Sequence, residues 1–91
     1  MNYGTSTHLG PQQVLDLAAR FFGPSGLGLR IAERGQDCII LASSQGSVSV
    51  RVQPLVGDTE VFLSTEGLDE QVRQFMVYAY EEAQDQAKSG G

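Results

Sequence analysis

Few side chains in this sequence are of a type that could do chemistry, and they are widely spread. There is one cysteine, Cys38, and one histidine, His8. A thiol nucleophile needs a base within hydrogen-bond reach. The only imidazole lies in a polar N-terminal stretch, so Cys38 reads as a small residue on a strand and not as a nucleophile. One histidine cannot build a metal site, and the carboxylates do not fall at the spacing of a calcium loop or a zinc set. Gly26-Leu27-Gly28 precedes a strand pattern, whereas a dinucleotide-binding glycine loop opens a helix. Arg30 and Arg51 could together hold a carboxylate or a phosphate. The plainer account pairs Arg51 with Glu60 and leaves Arg30 to water. Glu81, Glu82 and Asp85 form a solvated helix face. The chain is therefore expected to be non-enzymatic and to need no cofactor.

Bulk composition agrees with a small soluble domain. The chain has 91 residues, with 41% apolar and 19% charged side chains and a formal net charge of -5. That length suits one domain with an independent core. An acidic chain repels phosphate backbones, so nucleic-acid binding is not expected. A single cysteine excludes an intramolecular disulfide. The first residues lack the basic and apolar regions of a signal peptide. No apolar run approaches the ~20 residues that cross a bilayer. A cytoplasmic location without membrane contact is the expectation.

The elements that must position the side chains follow from periodicity. Residues 1–9 are small and polar and are expected to be flexible. A helix then begins at Pro11. Gly10 serves as N-cap, Gln13 reaches back to it, and Leu9 and Val14 form a hydrophobic staple. Val14, Leu15, Leu17, Ala18, Phe21 and Phe22 share one side of this helix. Gly23-Pro24 ends it, with Gly23 expected in the left-handed region.

From Leu27 the period becomes 2. Leu27, Leu29 and Ile31 alternate with Gly28, Arg30 and Ala32. Cys38 to Ser43 is a second strand and is apolar on both faces. Ser47 to Gln53 is a third and Thr59 to Ser64 a fourth. A long helix is expected over about 67–87, with Leu68, Val72, Phe75, Met76, Ala79 and Ala83 in one stripe. Val77 and Tyr78 project away from it. The domain is thus placed at 10–87, with a flexible tail at 88–91.

Turn chemistry sets the strand register. A two-residue loop at Gln45-Gly46 places Leu41 opposite Val50 and Ile39 opposite Val52. A three-residue loop at 34–36 pairs Ile31 with Ile39. A four-residue loop at 54–57 pairs Val50 with Val61. All three turns give one consistent apolar face. The predicted fold is a two-layer α+β domain of order α-β-β-β-β-α, a four-stranded antiparallel meander with both helices on one face. On the other face one row reads Arg30, Ile40, Arg51, Glu60 and the next reads Gly28, Ala42, Ser49, Phe62.

That second face has no partner within the chain. It lacks lysine and carries apolar side chains rimmed by arginine, serine and glutamate, which is the composition of a contact surface. The expectation is a protein-interaction domain that self-associates as a homodimer, or binds another protein, through Arg30, Cys38, Ile40, Ser49, Arg51 and Phe62. The competing account is that Ile40 and Phe62 are scattered exposed apolar residues, which are common. An alternative function is a small apolar-ligand site between helices and sheet, near Phe21, Phe22, Phe75 and Tyr80.

The order helix, four strands, helix resembles small adaptor and secretion-chaperone domains that dimerise and hold partner segments. That likeness is architectural and no motif carries it. The terminal Gly90-Gly91 is similar to the end of ubiquitin-like modifiers, whose β-grasp order has its helix between strands.

Overall fold

The protein is described here by a computed structural model covering residues 2–89, with side chains placed through Gln84. Gly90-Gly91 lies outside the described residues. The elements are β1 (Asn2–Thr7), α1 (Pro11–Phe22), β2 (Arg30–Arg34), β3 (Cys38–Ser43), β4 (Gly46–Leu55), β5 (Asp58–Glu66) and α2 (Asp69–Ser89). The strands form one antiparallel sheet of order β1-β5-β4-β3-β2. The fold is α+β, with five strands where four were expected. None of the described helices is long and apolar enough to cross a membrane.

The fifth strand is β1, cut from a segment whose composition suggests a tail. It pairs with β5 over all six residues, from Asn2 opposite Ser64 to Thr7 opposite Thr59. No aliphatic side chain marks it. The signal is a weak alternation in which Tyr3, Thr5 and Thr7 are half-buried and Asn2, Gly4 and Ser6 are exposed. Threonine and tyrosine suit a pleated, half-buried surface, so a polar strand can hold an edge without a Val/Ile signature.

α1 forms as the sequence predicts. Gly10 donates its backbone N–H to Gln13 Oε1 at 2.7 Å, and Leu9 and Val14 are both buried. Gly23 does not take the left-handed conformation expected of it: its φ is -73°. The requirement for glycine there is steric. A Cβ at Gly23 would lie 2.1 Å from the Ala19 carbonyl oxygen, because the chain folds back against the last turn.

The registers differ from expectation by two residues, because the β3–β4 turn falls one residue earlier at the same length and the β4–β5 loop is two residues shorter. The β3–β4 loop is Ser44-Gln45, so Ser43 faces Gly46, Leu41 faces Val48 and Ile39 faces Val50. The β4–β5 loop is Val56-Gly57, so Leu55 faces Asp58 and Val50 faces Leu63. Gly57, at φ +83°, takes the left-handed second position of this turn, which favours glycine. Between β2 and β3, Ile31 faces Leu41, and an irregularity at Ala32 then sets Glu33 opposite Ile40 and Arg34 opposite Ile39. The even shifts leave the side chains of β3, β4 and β5 on their predicted faces, whereas the irregularity in β2 moves Glu33 to the open face, beside Ile40, and Arg34 to the helix face.

Ile39, Leu41, Val48, Val50, Val52, Val61 and Leu63 therefore line a single core with α1 and α2. α1 lies over β3 and β4, and α2 lies over β1 and β5. The helices meet at an aromatic cluster. Phe21 sits edge-on to Phe22 with ring centres 5.0 Å apart, Phe22 lies 5.1 Å from Phe75, and Tyr78 stacks on Phe21 at 5.5 Å. Tyr78 thus faces α1, contrary to the helical-wheel expectation, while Val77 is exposed.

Candidate functional site

Strand alternation decides what the uncovered sheet face carries. Even-numbered residues of β3 and β5 and odd-numbered residues of β4 point away from both helices. One row across this face reads Cys38, Arg51, Phe62 and Gly4; the next reads Glu33, Ile40, Ser49, Ser64 and Asn2. Arg51 was expected opposite Glu60, but the two-residue shift replaces it with Phe62. The Arg51 guanidinium carbon lies 5.5 Å from the Phe62 ring centre, a cation–π contact. Glu60 instead faces Gln53 on one side and Ser6 on the other.

The face encloses a shallow concavity of about 420 Å³. Cys38, Ile40, Ser49, Arg51 and Phe62 all line it. Five of the six residues singled out in the sequence are therefore neighbours here. Arg30 is not among them: it faces Ala42, in the row of Ser47 and Glu66, on the edge strand. Asn2, Tyr3, Leu63 and Ser64 complete the lining, with Ser64 Oγ donating to Asn2 Oδ1 at 2.9 Å. Asn2 could not be named without the β1–β5 pairing. The Tyr3/Thr5/Thr7 alternation is the only sequence signal for it.

The face mixes apolar, polar and charged side chains. Ile40, Cys38 and Phe62 are half-buried and Arg51 is exposed. Two arginines (Arg30, Arg51) stand among three glutamates (Glu33, Glu60, Glu66) on the same face, so it carries both signs of charge. Cys38 is a free thiol. Among the described residues no group of three His, Cys, Asp or Glu side chains could hold a metal ion. His8 Nδ1 lies 2.6 Å from Asp58 Oδ1, at the far end of the sheet from the β3–β4 turn.

The two sheet edges differ. β2 is bulged and charged, and Arg34 forms an ion pair with Asp16 of α1. β1 carries no charge and no bulge. It is tied to α2 at one end, where Tyr3 donates its hydroxyl to Asp69 Oδ1 at 3.0 Å. Desolvation, and then the bond to Asp69, raise the Tyr3 phenol above its ordinary pKa.

Of the four aromatic residues of the expected ligand site, Phe75 and Tyr80 line a common cavity between α2 and the sheet, and Phe21 and Phe22 do not. Phe21, Phe22 and Phe75 are packed on one another, and Tyr80 is largely exposed at the cavity rim. Comparison with known proteins gives no match: no family model, no curated protein and no solved structure is significantly similar to the chain.

Proposed function

We propose that this protein is a small non-enzymatic interaction domain that self-associates through its open sheet face. The observation that carries the reading is the gathering of Cys38, Ile40, Ser49, Arg51 and Phe62 in one concavity on a face that neither helix covers. A two-fold pairing sets the same surface against itself. That suits a face bearing both arginines and glutamates, because each copy offers both partners of an ion pair.

The size of the face sets the strength. Five strands about 4.8 Å apart, each about six to nine residues at roughly 3.3 Å, span on the order of 500 Å². Two copies bury about 1,000 Å², the lower limit of a specific interface. The pairing is therefore weak and depends on concentration.

Sedimentation equilibrium of the full chain tests this. The wild-type mass is expected to rise from monomer toward dimer between micromolar and millimolar protein. Ile40→Asp is expected to remain monomeric over that range with an unchanged far-UV circular dichroism spectrum. A wild-type chain that stays monomeric throughout would overturn the reading, and so would an Ile40→Asp chain that unfolds.

A further inference from the structure

A second cavity, of about 300 Å³, lies on the helix side of the sheet between α2, β1 and β5. Its origin is a mismatch of side-chain length. A helix packs on a sheet at a separation of about 10 Å, and the interior must be filled from both sides. At the start of α2 the gap is filled, because Tyr3 spans it to reach Asp69. At the other end Thr5 and Thr7 of β1 look toward Ala79 and Ala83 of α2, with Ser6, Met76, Tyr80 and Gln84 also lining the space. Short side chains facing short side chains leave a void. Val14, Val61 and Phe75 form its floor, each nearly fully buried.

We propose that this cavity binds a small, neutral, largely apolar molecule the size of a two-ring aromatic with one hydrogen-bonding group. Size follows from volume: a dry apolar cavity of about 150 Å³ holds one benzene, and this one is about twice that. Neutrality follows from the rim. Among the described residues no arginine or lysine lines the cavity, and its His8 and Asp58 side chains are paired with each other at 2.6 Å. A charged head group would find no counter-ion and would lose its hydration. A single hydroxyl or N–H would find the Thr5 and Thr7 hydroxyls. This site lies on the opposite side of the sheet from the self-association face and does not depend on it.

The test uses 2-naphthol and the full-length chain. The chain has no tryptophan, so naphthol fluorescence reports binding directly. Saturable binding to one site per chain is expected, with 2-naphthoate, its anionic analogue, at least tenfold weaker. Ala79→Leu, which fills the cavity, is expected to weaken naphthol binding at least tenfold. Val77→Ala, on the exposed side of α2, is expected to leave it unchanged. Amide chemical shifts of the wild-type chain locate the probe independently of any variant that fails to fold. Shifts at Thr5, Thr7, Ala79 and Ala83 support the proposal. Shifts centred on Ile40, Ser49 and Phe62 overturn it, as do absent saturation, equal binding of naphthoate, or a folded Ala79→Leu that binds like wild type.

Discussion

Adjacent residues of β5 should respond oppositely to truncation, and protein concentration should separate their effects further. Leu63 is 1% exposed and faces both helices, whereas Phe62 is half-buried on the open face. Leu63→Ala removes core side-chain volume and is expected to cost about 2–5 kcal/mol. A 91-residue domain has roughly 5–13 kcal/mol of stability in all, and each kcal/mol moves the midpoint by ~4–8 °C. A fall of roughly 8–40 °C is therefore expected. Phe62→Ala in the monomer loses the Arg51 cation–π contact, about 0.5–1 kcal/mol, together with a little half-exposed ring surface. Its midpoint is expected to fall by no more than ~8 °C in dilute solution.

Self-association adds a mass-action contribution that only the dimer-competent chain enjoys. A binding partner at a hundred times the dissociation constant contributes about 2.7 kcal/mol. The wild-type midpoint is thus expected to rise with concentration while that of Phe62→Ala stays fixed, so the gap between them widens. Differential scanning calorimetry at several concentrations measures both effects. A Phe62→Ala variant as unstable in dilute solution as Leu63→Ala would show that the face is core. A gap independent of concentration would leave the face uncovered and remove the dimer.

Two further outcomes follow from the turns and from β1. Gly46 has φ +159°, and a Cβ there would lie 2.2 Å from the Glu66 carbonyl oxygen, whereas Gly57 has φ +83° with open space around it. In urea titration Gly46→Ala is expected to cost more than Gly57→Ala, for which only the left-handed strain of roughly 1–2 kcal/mol applies; the reverse order would contradict the close approach. Tyr3 has a phenol pKa above the ordinary value of 10.0, so its folded-state pKa exceeds its unfolded one. The associated stability is fully present below pH 10 and is lost as pH rises through the folded pKa. Wild type is expected to lose stability above pH 10 more steeply than Tyr3→Phe, and parallel curves would dissociate Tyr3 from the Asp69 contact.

The parts of this fold that the sequence discloses are those governed by parity, and the parts it conceals are those governed by loop length or by polar pairing. Val48, Val50, Val52, Val61 and Leu63 are on the core face under either register, because a shift of two residues preserves the side-chain direction. The identity of neighbours is not preserved. Arg51 meets Phe62 and not Glu60 because Val56-Gly57 alone forms the β4–β5 loop, and composition does not separate a two-residue turn from the four-residue turn at Pro54-Leu55-Val56-Gly57. β1 is hidden for a different reason. Its six residues gain from completing a sheet whose other members are already apolar, so they need little hydrophobicity of their own. That economy has consequences on both sides of the sheet. Asn2 extends the open face beyond Ser64, widening the surface offered for contact. Thr5 and Thr7 are too short to reach Ala79 and Ala83, which opens the cavity beneath α2. A more conventional strand, with isoleucine at those two positions, would be easy to read in the sequence and would narrow the second site.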